Sequence, residues 1–143
     1  MSDVTIKKGK DMLGVIVYGT EYLVDYDFFK DSLDKYVDAE DKILICHMQE
    51  KGKDEFITRY IEESGFEERN LTLPHWRSNV YIRNKMIVHI AKECCDFKFI
   101  VFWNGKINAT RNLIKEAERE NVHVHVVKYR LDEEWNMSEV NYG

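Results

Sequence analysis

At 143 residues the chain has room for one domain with a real core and little left for a second. Its 44% hydrophobic and 33% charged residues exclude a disordered or fibrous chain, and no apolar run approaches the length of a membrane span. A net charge of −5 gives a nucleic acid duplex no bulk electrostatic support, although a local basic pocket stays open.

The polar, lysine-bearing stretch from Met1 to Lys10 argues against a secretory signal. Cys46 lies inside an apolar run, and Cys94 and Cys95 are adjacent. An odd count without a CxxC pair supports neither a disulfide framework nor a zinc site, so the expectation is reduced thiols in a cytoplasmic protein.

Met12 to Tyr18 (MLGVIVY) is a β-rich run that stops at Gly19, a strand followed by a turn. Asp25 to Val37 places Tyr26, Phe29, Leu33, Tyr36 and Val37 at helical spacing behind an acidic start. Lys42 to Met48 predicts a second strand. Asp54 to Glu63 predicts a helix with Phe56, Ile57, Tyr60 and Ile61 on one face and Gly65 as its stop. Leu71 to Pro74 is a short third strand ended by the only proline.

Asn79 to Cys95 is the longest helical pattern, with Val80, Ile82, Met86, Ile87, Ile90, Ala91 and Cys94 available for burial. Lys98 to Trp103 (KFIVFW) predicts a fourth strand. Asn108 to Glu120 predicts a helix capped by Asn108, with Ala109, Leu113, Ile114 and Ala117 facing inward. Val122 to Val127 supplies a fifth strand.

The alternation βαβαβαβαβ with short connections predicts an α/β fold, a Rossmann-like three-layer sandwich. It has about five parallel strands in the order 3-2-1-4-5, right-handed crossovers and helices on both faces. The domain covers residues 11–129 after a polar tail at 1–10. Residues 130–143 are polar and acidic, with Trp135 and Tyr142, and read as a tail or as an arm packing on this or a second subunit. Apolar residues in the 79–95 helix exceed what one sheet face needs. That is compatible with a homodimer or higher oligomer, and equally with a wide core-facing stripe.

In open α/β sheets ligands bind beyond the carboxyl ends of the strands, where the strand order reverses. Here that crevice lies between strands 1 and 4, which directs attention to Gly19–Asp25 and Asn104–Asn108. The second loop runs Asn104-Gly105-Lys106-Ile107-Asn108-Ala109-Thr110-Arg111 from a strand end into a helix start. Free N–H groups and the helix dipole favour an anion there, and Lys106, Thr110 and Arg111 would add side-chain donors. A routine strand-to-helix turn with a solvated lysine accounts for the same residues.

Gly19-Thr20 lets a ligand approach the backbone, or serves turn geometry alone. Arg83, near a helix start, gains nothing from the dipole and invites an anionic partner; an ordinary exposed arginine is the simpler reading. Asp54 reaches a sugar hydroxyl or, the better reading from spacing, caps its own helix. His123 and His125 share a strand face, but no third ligand stands at a telling spacing, so no metal is assigned. Cys46 and His47 point to opposite faces, so no nucleophile is assigned.

FWNGKINATRNLI (Phe102 to Ile114), IRNKM (Ile82 to Met86), Gly52-Lys53-Asp54 and the Gly19-Thr20 loop with Asp25 resemble, in order, the motifs of the SLOG superfamily. The match is to its small YspA-related branch and covers about residues 12 to 129. The resemblance implies a Rossmann-like protein that binds a nucleotide or nucleotide-derived signal. It raises Arg83, Asn84, Gly105, Lys106 and Thr110 to leading ligand-site residues.

The superfamily includes the LONELY GUY phosphoribohydrolases and the DNA-binding DprA branch. Against the family pattern, this chain has Ala109-Thr110 for a Gly-Thr pair. It has Leu113 where the hydrolases carry a glutamate, and no glycine pair at 47–50. The expectation is therefore a binder, either a sensor or a small stand-alone or phage-borne sponge. Its ligand would contact Gly19, Thr20, Arg83, Asn84, Asn104, Gly105, Lys106 and Thr110, with Asp54 on a ribose and no cofactor. A nucleotide N-glycosidase using Asp54 or Glu50 is the alternative, and a nucleic-acid-binding protein the third.

Overall fold

The computed structural model describes residues 8, 11–37, 42–48, 55–71 and 79–142. Six strands form one sheet in the order β3-β2-β1-β4-β5-β6. They are β1 (Met12–Tyr18), β2 (Lys42–His47), β3 (Glu67–Asn70), β4 (Lys98–Trp103), β5 (His125–Leu131) and β6 (Met137–Glu139). All neighbours are parallel except β6, which returns antiparallel to β5. The helices are α1 (Tyr26–Asp34), α2 (Glu55–Ser64), α3 (Val80–Glu93) and α4 (Asn108–Arg119). This is the Rossmann-like sandwich expected from the alternation, with one strand added at the edge.

The two sheet faces follow from the period of two along each strand. Ile16, Leu44, Cys46, Phe99, Val101 and Trp103 pack with α3 and α4. Val15, Val17, Ile43, Ile45, Ile100 and Phe102 pack with α1 and α2. The central strands are buried on both faces, which is why they read as unbroken apolar runs rather than alternating ones. Two tyrosines lock α1 to α2: Tyr26 Oη donates to Glu63 at 2.7 Å and Tyr60 Oη to Asp34 at 2.8 Å. No helix among the described residues is long and apolar enough to cross a membrane.

Three boundaries differ from the sequence pattern. The third strand is Glu67–Asn70 rather than one beginning at Leu71. As an edge strand it needs backbone partners more than apolar side chains, and its register on β2 runs from Leu44↔Glu67 to His47↔Asn70. Residues 72–74 of the expected strand lie outside the described residues. The fifth strand starts at His125 and runs on to Leu131, with Val127 and Tyr129 facing inward.

From Arg130 onward, the stretch read as a tail or arm belongs to the sheet edge of this chain. Asp132 turns the β5–β6 hairpin by accepting from Glu134 N at 2.8 Å and Asn136 N at 2.9 Å. The Tyr142 ring then lies edge-on to Trp103 at 6.1 Å.

Burial sorts the thiols. Cys46 is shut between sheet and helices, and burial pushes its thiol up to about 12, so it is protonated and inert at neutral pH. Cys94 is buried and Cys95 exposed. We expect the native protein to release colour from a disulfide reagent with the stoichiometry of one fast thiol, lost in Cys95→Ser, and three after denaturation. More than one fast thiol in the native state would contradict this packing.

Candidate functional site

The helices all begin at the carboxyl edge of the sheet, so their caps decide what that edge can bind. Asp25 Oδ1 accepts from Phe28 N at 3.2 Å and closes the start of α1. Asn79 Oδ1 does the same for α3, accepting from Ile82 N at 3.0 Å. The start of α4 is different. Its N-cap position is Ile107, which offers no side-chain acceptor. The expected cap, Asn108, is instead the first helical residue, and its Oδ1 accepts from Arg111 Nη1 at 3.0 Å. Asn104 cannot serve either, because its Oδ1 is taken by Lys106 N at 2.8 Å and Ile107 N at 3.1 Å in the turn before the helix. The first-turn N–H groups of α4 therefore open onto the crevice without a side-chain cap.

Cations gather around this opening. Gly105 turns the chain at φ +83°, and a Cβ there would stand 2.9 Å from Lys128 Cε. Lys128 is opposite Trp103 in the β4–β5 register, and its ammonium lies 5.5 Å from the centre of the indole. The Arg111 guanidinium is also 5.5 Å from that ring, and its Nη2 donates to Gly105 O at 3.4 Å. Lys106 is exposed on the same turn, and Arg83 is half-buried in the first turn of α3. Among the described residues, none of these four cations has a carboxylate at ion-pair distance. Like charges held close together favour the arrival of an anion.

Asn84 joins the two helix starts. It is 1% exposed and its side chain is fully bonded within the protein. Oδ1 accepts from Tyr18 Oη at 2.9 Å, while Nδ2 donates to Ala109 O at 2.8 Å and Asn112 Oδ1 at 3.1 Å. Burial, with Glu21 adding to it, holds the Tyr18 hydroxyl well above its usual range, so Tyr18 donates this bond as a neutral phenol.

Gly19, at φ +88°, lies so close to β4 that a Cβ would overlap the Phe102 carbonyl oxygen. Thr20 is buried and its carbonyl accepts from Leu23 N at 3.1 Å, which turns the loop back. Thr110 is buried in the first turn of α4.

The structure thus brings Gly19, Arg83, Asn84, Asn104, Gly105, Lys106 and Thr110 to the carboxyl ends of β1 and β4. Asp54 lies outside the described residues. Lys128 was not read from the sequence. Its signal was its position just past the fifth apolar run, the place on a parallel strand that reaches the ligand edge.

His47 was read at the end of the second strand, beside Cys46, and given no role. It ends β2 on the α1–α2 side, 2% exposed, with Nε2 2.6 Å from Glu68 Oε2 and Nδ1 without a partner. The His123 and His125 rings touch at 4.6 Å at the start of β5, far along the strand from this edge. Among the described residues no group of three His, Cys, Asp or Glu side chains is placed to hold a metal ion.

Fold and site together describe a Rossmann-like α/β domain with an uncapped helix start and unpaired cations at the reversal of its strand order. Family models, curated proteins and solved structures contain no match to the chain.

Replacing Asn84 by alanine would take the acceptor from the Tyr18 hydroxyl and remove the bonds to Ala109 O and Asn112 Oδ1 that tie α3 to α4. We expect a loss of about 3 kcal/mol in urea unfolding, with Asn84→Asp costing as much because it supplies no donors. Gly19→Ala should cost well over 2 kcal/mol, since it adds backbone overlap to the left-handed conformation. Gly105→Ala should cost only about 1 kcal/mol, because it meets the flexible end of Lys128. Equal losses at the two glycines would refute this reading of the loops.

Proposed function

We propose that the chain binds a nucleotide-type phosphate ligand in the crevice beyond β1 and β4, as a sensor or a sequestering protein. The observation that carries this reading is the uncapped start of α4, surrounded by Lys106, Arg111, Lys128 and Arg83 without carboxylate partners. A helix start of this kind supplies N–H donors and a favourable dipole for phosphate oxygens. The cations add charge-assisted bonds, and Trp103 gives an aromatic wall between two of them. Asn84 acts here as a positioning residue, since its donors and acceptor are engaged within the protein. The resemblance of the 82–86 and 102–114 segments to SLOG proteins supports the same ligand class.

The N-glycosidase alternative has weaker support. Leu113, at the position of the hydrolase glutamate, is fully buried in the α3–α4 core. A nucleic acid partner would have to rely on this one patch in a chain of net charge −5.

A saturating ligand at a hundred times its dissociation constant stabilises the fold by about 2.7 kcal/mol, several degrees of melting temperature for a domain of this size. We expect such a shift with nucleoside diphosphates, and calorimetric binding of pyrophosphate. Lys106→Ala and Lys128→Ala should each weaken pyrophosphate binding about tenfold or more. Unchanged affinity in both variants would remove the site assignment. Absence of any pyrophosphate or nucleotide binding by the wild-type chain would remove the function.

A further inference from the structure

The β5–β6 hairpin is the part of the carboxyl edge that the phosphate site does not use. β5 runs past Lys128, level with the end of β4, to Leu131, which carries the turn roughly 10 Å beyond that lysine. The turn is closed by Asp132 N donating to Asn136 O at 3.0 Å and Trp135 N donating to Asp132 O at 3.1 Å. A turn of this kind sets one residue in the left-handed region, where glycine or asparagine sits without strain. Here that residue is Trp135, at φ 65°. The strain is not repaid by packing within the chain, since Trp135 is 69% exposed.

Other open apolar side chains stand at the same edge. Tyr22 and Val24 lie in the loop after β1, Tyr81 and Ile82 in the first turn of α3, and Leu131 at the foot of the hairpin, each at least 39% exposed. Apolar groups gathered at one edge mark a contact surface. Charge says what covers it. Glu133 and Glu134 precede Trp135 at the tip, both exposed and, among the described residues, without a cation at ion-pair distance. The crevice has the opposite deficit, with Lys106, Arg111 and Lys128 set around the Trp103 ring without carboxylates. The tip cannot answer its own crevice, because β5 is paired with β4 as far as Lys128 and with β6 from Tyr129 onward.

We propose that two copies of the chain pair by their carboxyl edges about a two-fold axis, each placing Trp135, Glu133 and Glu134 against the other's Lys106, Arg111 and Lys128. Both halves of the contact lie on one edge, so a two-fold satisfies them together and association closes at the dimer. The carboxylates meet the cations that the crevice leaves open, and the indole offers its face to a guanidinium or ammonium group. The pairing uses cations of the phosphate site but does not depend on any phosphate being bound.

The test is sedimentation velocity of the whole chain from about 1 to 300 µM, where a monomer–dimer equilibrium should appear at low salt and weaken as salt is raised. Trp135→Gly should weaken dimerisation about tenfold or more. The same variant should unfold in urea no more easily than the wild type, because glycine takes the left-handed position without strain. Glu133→Lys with Glu134→Lys, and Lys106→Glu with Lys128→Glu, should each give a monomer alone. Mixed in equal amounts the two double variants should form a heterodimer, since each tip then faces a crevice of opposite charge.

A wild-type chain that stays monomeric at low salt, a dimer unchanged by the tip substitutions, or double variants that stay apart on mixing would overturn the inference. Pyrophosphate binding by such a chain would still leave the phosphate site standing.

Discussion

The Asn84 carboxamide sits where β1, α3 and α4 meet, and the shape of the carboxyl edge follows from how its bonding capacity is divided. The acceptor goes to the Tyr18 hydroxyl at the end of β1, and the donors go to Ala109 O and Asn112 Oδ1 in α4. No other side chain of this size supplies one acceptor and two donors in a plane; aspartate lacks the donors and leucine lacks all three groups. The tie sets two helix starts side by side, each with the positive end of its dipole toward the crevice. Mutual repulsion of those ends is a cost, softened at α3 by the Asn79 cap and left standing at α4.

An excess of acid elsewhere makes the cations at this edge stand out. Several carboxylates are engaged away from the crevice. Asp34 and Glu63 take tyrosine hydroxyls between α1 and α2, Glu116 and Glu120 meet Arg119 and Lys92, and Glu139 meets Lys35. Among the described residues, four cations near one helix start have no carboxylate at ion-pair distance, and the Glu21 carboxylate acts on Tyr18 at the end of β1. Trp103 is held by its indole N–H on Ile107 O at 3.1 Å, so its ring is a fixed wall beside Arg111 and Lys128. Tyr142 closes against that ring from the returning chain.

The fold was legible because its central strands are buried on both sides. MLGVIVY, KILICH and KFIVFW are apolar runs too short for helices, and the amphipathic segments between them fix the crossover order. The outer strands were harder. Glu67–Asn70 carries no apolar residue and exists by pairing with β2, a tertiary effect that no local pattern records. Met137–Glu139 is likewise an edge strand, placed by the Asp132 turn. At the site, the loop and helix segments were legible from the fold rule, but their roles were not. Whether an asparagine caps a helix, closes a turn or ties three elements depends on partners distant in sequence. Asn79, Asn104 and Asn84 each do a different one of these. Lys128 and the His47–Glu68 pair were hidden for the same reason, since each acquires its setting from a neighbouring strand.

Native interiors leave few polar groups unmatched, so the places where the accounting does not close carry information. Among the described residues two stand out. One is the first turn of α4, opening beyond β4; the other is His47 Nδ1 at the end of β2. Leaving a cap off a helix costs on the order of 1 kcal/mol, and an unmet buried acceptor costs roughly 1–3 kcal/mol. Either could be repaired within the chain by a single residue: serine at position 107 would cap α4, and phenylalanine at 47 would fill its space without a polar atom. The sheet order β2-β1-β4 puts the two deficits on opposite sides of the same central strand. At β1 itself, Gly19 packs against β4 with no side chain rising between them. The α4 start lies on the α3–α4 side of the sheet and His47 on the α1–α2 side, so the two deficits stand on opposite faces of it.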